Sequence, residues 1–389
     1  MSFIMSSEPL DSPELYAQYH DRGGYHVAWT RVKQMSPVEV RQTVLAAGLR
    51  GRGGAAFPTA KKWELAASVD SPTRVLIVNG AEGEPGSFKD RTLMTVSPHR
   101  LIEGILIASH AIGATEIIFY INDQFGDSIR SLETALKEAS CQGLPTDRIQ
   151  LRPETHTYIA GEETALINAL MGRPPQPWHK PPYPTTQGYL GLPTVVNNVE
   201  TLAVLPLIFE KGVPWFIKHH PMLFSVSGDV KNPGVYEMPL GTTLDHLLRS
   251  AGGPSQAGIQ AVLPGGFSMP WLTAEHFNAN LDYETMRHLG TGLGASVIVL
   301  GSERSLYDQS CDIAQFFARE SCGKCPLCVR GTRTLAEQLV LLGSNLTPGM
   351  IADLVQTAKK FRHKGICSYL DTAAHMVENY AVSLVAPSV

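Results

Sequence analysis

The period of the hydrophobic pattern changes several times along the chain. RVLIVNG is a short apolar run rich in Val and Ile and reads as a buried strand, and EIIFYIN and IQLRPE read as two further strands. Between the first two, Ser97-Pro98 opens a helix that runs to about Ile112 and is closed by Gly113. A second helix is expected from about Gln124 to Ala139. Strand, helix, strand, helix, strand predicts a parallel α/β sheet. Upstream, Ser36-Pro37-Val38-Glu39 is a capping box with Pro at the first helical position, and Gly48 marks the stop. Residues 1 to about 35 show little periodicity and read as an arm. GEETALINALMG reads as a helix, a Pro-rich loop follows, and NNVETLAVLPLIFEKG reads as one further helix.

The character changes near Pro221. LFSVSGDVKNPGVYEMPLG predicts two strands around an Asn232-Pro233-Gly234 turn. A helix (TTLDHLLRSAGG) and a strand (IQAVLPGG) follow, which together suggest a small β-grasp module. From about Ser305 the pattern is helical, with four helices around a cysteine-rich loop and Thr347-Pro348 capping one of them. The expected class is therefore α/β and multidomain. Residues 1–60 form an arm, a helix and the start of a Gly-rich loop. Residues 61–220 form the α/β domain, 221–302 the β-grasp domain and 303–389 a helical domain.

The bulk numbers narrow the setting. The chain has 389 residues, 43% hydrophobic and 17% charged, with a net charge of −4. No basic run suggests nucleic acid. The longest apolar stretch, LIEGILIASHAIGATEIIFYI, carries Glu103, His110 and Glu116 and breaks at Gly113, so it reads as helix then strand, with no direct membrane insertion. MSFIMSSEPLDSPEL has no basic region followed by an apolar core, so no secretory leader is expected. Free thiols point to a reducing, cytoplasmic setting, with any membrane association going through another subunit.

The sharpest chemical signal is ESCGKCPLC. Cys322, Cys325 and Cys328 are spaced C-x-x-C-x-x-C, and Cys367 stands alone downstream. Three thiolates in one tight loop suit three corners of a cubic iron–sulfur cluster, with the fourth ligand from elsewhere. Structural zinc takes two separated ligand pairs, whereas these two steps share Cys325. A [4Fe–4S] cluster is thus favoured over zinc or disulfides. Cys141 and Cys311 are expected to be small buried hydrophobes.

GRGGAA (51–56) fits the dinucleotide string G-x-G-x-x-G/A, but it follows a helix instead of a strand, so the Rossmann reading is rejected. Its glycines still imply a backbone that comes close to something flat or anionic, or else a plain turn. Asn79, Glu82 and Glu84 lie past the carboxyl end of a buried strand, where ligands collect in open α/β sheets. Gly161-Glu162-Glu163 and Asn197-Asn198 open helices, whose amides suit a phosphate or a flavin carbonyl. Helix capping is the alternative for each.

Read in order, GLRGRGGAAFPTAKKW, NGAEGEPGSFKDR, YIAGEETALINALMGRPPQPWHKPPYP, VVNNVETL, SGDVKNPGVYEMPLGTT and ARESCGKCPLC with Cys367 resemble the flavin-bearing, NADH-oxidising subunit of respiratory complex I. They also resemble its relatives in NAD-linked hydrogenases and formate dehydrogenases. The resemblance runs from about Tyr16 to about Tyr380. It implies an FMN-binding α/β domain, a β-grasp (SLBB-like) domain and a helical bundle carrying the [4Fe–4S] cluster on Cys322, Cys325, Cys328 and Cys367. It implies that Gly51, Arg52, Gly53, Gly54 and Lys62 hold the FMN phosphate and ribityl chain. Asn79, Tyr158, Gly161, Glu162, Glu163, Val196, Asn197, Asn198 and Thr201 would surround the rest. Phe57, Glu84, Glu163, Lys180 and Tyr183 would lie near the nicotinamide nucleotide. An aromatic would stack adenine and carboxylates would bond ribose hydroxyls, which favours NADH over NADPH.

The implied activity is hydride transfer from NADH to FMN, then single electrons to the cluster and on to a partner. No thioredoxin-like [2Fe–2S] domain is fused to the chain, so the acceptor would be a separate iron–sulfur protein, thioredoxin-like or ferredoxin-like, within a larger redox complex. The chain departs from the family at several positions. The usual Asn-Ala-Asp-Glu reads Asn79-Gly80-Ala81-Glu82, so an Asp is missing at Ala81. Ala56 replaces a Gly, Leu65 an aromatic and Ala160 a Cys, and Tyr183 stands for Phe. A divergent member is implied. A non-catalytic scaffold subunit, or the same site run backwards to reduce NAD⁺, are the alternative readings.

Overall fold

The computed structural model describes residues 3–5, 13–155, 157–255, 258–343 and 347–383. The N-terminal stretch read for a secretory leader lies mostly outside the described residues. Four parallel strands form the first sheet: β1 (Val75–Gly80), β2 (Glu116–Asn122), β3 (Ile149–Glu154) and β4 (Thr194–Asn198), in the order β3-β2-β1-β4. The first three are the strands read from the sequence. β4 is a correction, because Asn197-Asn198 read as the start of a helix and Thr194–Val196 carry no assignment, yet TVVNN is a strand. Its Val195 and Val196 are buried and pair with the central strand β1. The long helix expected after it is two shorter ones, Val199–Ala203 and Leu205–Lys211, with Pro206 in the first turn of the second.

β1, β2 and β4 are buried on both faces, whereas the edge strand β3 is partly exposed and mixes polar with apolar residues. Leu76, Val78, Ile117, Phe119 and Val195 pack toward the Pro98–Ile112 helix side. Val75, Ile77, Ile118, Tyr120 and Val196 pack with the Glu163–Leu170 helix. Close packing is demanded at Gly104, where a Cβ would stand 2.0 Å from the Leu202 carbonyl oxygen. From β1 the chain steps outward to β2 and β3, then returns to lay β4 on the other side of β1. That reversal makes a crevice at the carboxyl ends of β1 and β4, the usual ligand position in open α/β sheets.

The capping box at Ser36 is present, and Gly113 takes a left-handed conformation that closes its helix. The arm is more ordered than its sequence suggested. It holds short helices at Tyr16–Asp21 and Ala28–Val32, and Tyr19, Tyr25, Ala28 and Trp29 are buried in the main core. The helix expected at about Gln124–Ala139 spans Gly126–Cys141. Its start is delayed by a turn in which the Asn122 side chain accepts from the Gln124 amide.

The second sheet contains β5 (Pro221–Gly228), β6 (Gly234–Pro239), β7 (Ile259–Leu263), β8 (Leu272–Thr273) and β9 (Ser296–Gly301), ordered β6-β5-β9-β7-β8. β5 and β6 are the expected hairpin, and the parallel β5–β9 pair completes a β-grasp arrangement with the Leu244–Ser250 helix. Four C-terminal helices follow: Leu306–Arg319, Pro326–Leu342, Pro348–Phe361 and Tyr369–Ser383. Thr347 caps the third as expected. Cys311 is buried as expected, but Cys141 ends its helix exposed, which corrects its assignment as a core residue. No described helix is long and apolar enough to cross a membrane.

Candidate active site

The register of the first sheet brings Asn198, Asn79, Tyr120 and Arg152 into one row at the carboxyl ends of the strands. Asn79 donates to the Gly161 carbonyl at 3.0 Å and accepts from the Ala81 amide at 3.1 Å. It thereby ties β1 to the turn before the Glu163–Leu170 helix. Ala81 itself is buried in the apolar cluster that includes Tyr120 and Val196.

The Gly-rich loop lies beside this row. It follows a helix, as the rejection of the Rossmann reading required, and closes through a Gly51 amide bond to the Phe57 carbonyl at 2.9 Å. A Cβ on Gly53 would stand 3.2 Å from Asn198 Cβ, so the loop rests directly on the start of the Val199–Ala203 helix. Gly54 has a φ of +102°. At Gly54 and at Gly161 a Cβ would meet nothing within 4 Å, so both backbones face open space. Two exposed glycine backbones flanking a crevice suit a flat or anionic group.

Several expected ligands have other work. Arg52 was expected at the FMN phosphate, yet its guanidinium is buried 2.7 Å from Glu200, and its amide donates to Thr201 Oγ1. Lys89 joins them at 2.8 Å from Glu200 and 2.6 Å from Asp90, and Asn198 donates to Asp90 at 2.5 Å. A carboxylate as buried as Glu200 demands such cations. Burial opposes its ionisation, but Lys89 and Arg52 outweigh that and hold it below the usual carboxylate range. Asn197 accepts from the Trp63 indole, away from the crevice. Glu162 and Asn198 cap their helices, accepting from Thr164 and Ala165 and from Glu200 and Thr201 respectively. For these two the capping alternative holds, and those amides are already satisfied.

Glu163 sits between two lysines. Lys62 Nζ lies 3.0 Å away and Lys180 Nζ 2.7 Å, and Lys180 also reaches Glu162 at 3.1 Å. Burial opposes its ionisation, but Lys62 and Lys180 hold it below the usual range. Phe57 and Tyr183 are exposed by 45% and 55%, leaving ring faces free for stacking. Glu84 is placed differently from the expectation that it faces the nucleotide. It is partly buried, and accepts from Tyr158 Oη at 2.8 Å and from Ser268 Oγ at 2.6 Å. Burial is the stronger influence and pushes its carboxyl above the usual range.

Cys322, Cys325, Cys328 and Cys367 line one pocket with Pro177, Lys324, Gly365, Ile366 and Tyr369. Pro326 starts a helix that sets Cys328 in its first turn, and Gly365 is required because a Cβ there would stand 2.9 Å from the Cys367 carbonyl. Burial, followed by the other three thiols among its lesser causes, pushes the Cys328 thiol up to about 11. A zinc ion needs its sulfurs within about 2.3 Å of one point. Among the described residues no group of three or more His, Cys, Asp or Glu is placed to hold a single metal ion. A ring of four thiols around a shared pocket suits a larger polynuclear group. The Pro-rich loop binds this pocket to the crevice: Lys324 donates to the Pro177 carbonyl at 2.7 Å and Gln176 to the Cys322 carbonyl at 2.9 Å.

Tyr158 closes the gap between the two regions. Its ring packs on Phe316, Phe317 and Tyr369 at centroid distances of 5.1, 6.3 and 5.8 Å. Sequence reasoning missed Ser268, Lys89, Asp90 and Glu200. The last three stand inside strings that carry the resemblance, whereas Ser268 lies 184 positions from its partner and carries no local signal.

A glycine-lined crevice and a four-cysteine pocket joined through one partly buried tyrosine define a two-centre redox protein. Known families agree. Residues 44–207 match the Nuo51 FMN-binding domain, 223–270 the SLBB domain and 308–382 the iron–sulfur binding region of NADH-ubiquinone oxidoreductase-F. The second F subunit of the NADH-quinone oxidoreductases of Rhizobium meliloti is 37% identical over 342 residues, covering 83% of this chain and 81% of its own. The corresponding F subunit of Aquifex aeolicus is 40% identical over 330 residues, covering 80% and 75%. An NAD⁺-reducing [NiFe]-hydrogenase in the H₂-reduced state matches with a TM-score of 0.81 and 37% identity over 90% of this chain. This chain spans 61% of that hydrogenase chain. The chain belongs to the family of NADH-quinone oxidoreductase F subunits. It is an NADH-oxidising flavo-iron–sulfur protein whose cofactors are FMN and a [4Fe–4S] cluster, as the sequence motifs implied.

Proposed function

We propose that the crevice at the ends of β1 and β4 is the FMN site. Gly51, Gly53, Gly54 and Lys62 form its phosphate side, and Asn79, Tyr158, Gly161, Glu163 and Val196 its walls. Arg52, Glu162, Asn197, Asn198 and Thr201 act from behind, holding the loop and the two helix starts through the bonds described above. Phe57, Lys180 and Tyr183 line the NADH approach together with Glu163, while Glu84 stands behind the wall. Cys322, Cys325, Cys328 and Cys367 hold the cluster. Bound FMN supplies two-electron hydride acceptance with one-electron release, and the cluster one-electron transfer.

The residues themselves do three things. Lys62 and Lys180 fix Glu163 as a carboxylate at the crevice mouth, where it accepts from ribose hydroxyls and repels a 2′-phosphate, so NADH is preferred over NADPH. Tyr158, Phe316 and Tyr369 exclude water between the two centres. Leu327, exposed by 40% beside the cysteines, offers an apolar contact for a separate iron–sulfur protein. That acceptor would belong to a larger redox complex, as the names of the relatives suggest for those proteins, in a cytoplasmic setting. The observation that carries the reading is Tyr158, whose hydroxyl lies in the network behind the flavin wall and whose ring meets a residue of the cysteine pocket.

Anaerobic titration of the reconstituted protein with NADH, and separately NADPH, tests this. Flavin bleaching by NADH, followed by the cluster's paramagnetic signal, is expected. Retained flavin that NADH does not bleach would favour the scaffold reading, for which Ala81 is the motivating change.

A further inference from the structure

The segment after β1 is gripped by the β-grasp domain at several points. Ser296 Oγ donates to the Pro85 carbonyl at 3.1 Å, and the Phe88 amide donates to Ser225 Oγ at 2.9 Å. Gly86 has a φ of +77°, and a Cβ there would stand 2.6 Å from Ile298 Cγ1. Gly266, at +69°, admits Glu84 in the same way, since its Cβ would meet Glu84 Oε1 at 2.5 Å. Ser268, two residues on, donates to Glu84 from its amide at 3.1 Å and from its hydroxyl at 2.6 Å. Its hydroxyl also lies 2.9 Å from Tyr158 Oη. Among the described residues no cation forms an ion pair with Glu84. Its charge therefore depends on neutral donors, and the β-grasp domain supplies most of them.

A partly buried carboxylate without a counter-ion raises the cost of placing another negative charge nearby, and each donor it loses favours its neutral form. We propose that Ser268 is a positioning residue: through Glu84 and Tyr158, the β-grasp domain sets the charge and geometry of the wall between flavin and cluster. The proposal rests on the FMN site assigned above. It gives the β-grasp module a part in the redox chemistry beyond that of a packing partner.

The test is a double-mutant cycle on the holoprotein with Ser268→Ala, Glu84→Gln and both together. Potentiometric titration, read by flavin absorbance and cluster paramagnetism, measures each midpoint. Ser268→Ala is expected to shift the flavin midpoint upward, and to add no further shift in the Glu84→Gln background. An unmoved midpoint in Ser268→Ala, or additive shifts in the double variant, would overturn the proposal. If Ser268→Ala loses its cofactors, Ser268→Thr keeps the hydroxyl and is expected to restore both content and midpoint; failure to do so overturns it as well. A wild-type chain that retains no FMN would instead defeat the flavin-site assignment itself.

Discussion

Arg52 and Glu200 form an ion pair of 2.7 Å with both side chains almost wholly out of water. The pair ties the Gly-rich loop to the helix that follows β4. Removing one partner of such a pair strands the other charge, which typically costs about 3–5 kcal/mol. Glu200→Ala strands two cations, Arg52 and Lys89, whereas Arg52→Met leaves Glu200 still paired with Lys89. Glu200→Ala is therefore expected to lower the apparent Tm by on the order of 5–10 °C, with a clearly smaller fall for Arg52→Met. Equal falls in thermal melts of the two variants would contradict the shared-carboxylate account.

The cysteines divide into two groups by placement. Cys367 shares its pocket with the three clustered cysteines, while Cys141 is exposed and Cys311 is buried elsewhere. Cys367→Ser is expected to lower iron content and abolish the [4Fe–4S] paramagnetic signal, and Cys311→Ala to leave both intact. In the reconstituted protein a thiol reagent should label Cys141 first, without loss of iron. Iron analysis and mass spectrometry of the labelled peptide check both statements.

Much of this was legible in the sequence, for identifiable reasons. β1 and β2 were readable because strands covered on both faces need nearly uninterrupted apolar runs, whereas β3, a partly exposed edge strand, was readable from its place in the strand-helix alternation. β4 was not, because TVVNN is short and its end runs straight into a helix N-cap at Asn198. The four cysteines that share one pocket, proposed as the cluster ligands, stood out because three of them are local. Arg52 was misdirected because a cationic residue in a glycine loop suggests a phosphate partner, whereas its actual partner is a buried carboxylate 148 positions away. The Ser268–Glu84 contact joins separate domains, and nothing in either segment announces the other.

The two lysines at Glu163 should separate on substitution. Lys180 lies on the Pro-rich loop and Lys62 beneath the Gly-rich one, where it also donates to the Val196 carbonyl at 3.3 Å. Lys180→Ala is expected to raise the KM for NADH by roughly tenfold, about 1.4 kcal/mol, with FMN content unchanged. Lys62→Ala is expected to lose FMN. Steady-state kinetics beside flavin quantitation decides this; flavin loss in both variants would mean that the two sites are not separable.

A carboxyl far from the redox site gives the chain a pH signature. Glu103 is buried in the Pro98–Ile112 helix, accepting from Tyr19 Oη and from the Trp29 amide at 2.9 Å. Burial is the main cause that raises it from an ordinary 4.5 to about 7. The native state then holds more protons than the unfolded chain between those values. Stability from this group is full below pH 4.5 and falls as pH rises toward 7, by on the order of 3 kcal/mol. Glu103→Gln removes that slope, since its amide stays neutral. Relative to wild type, the variant's denaturation midpoint is expected to be higher at pH 8 than at pH 5, with the difference shrinking as pH falls. A difference that does not vary with pH would show that Glu103 is already ionised in the native protein at pH 5.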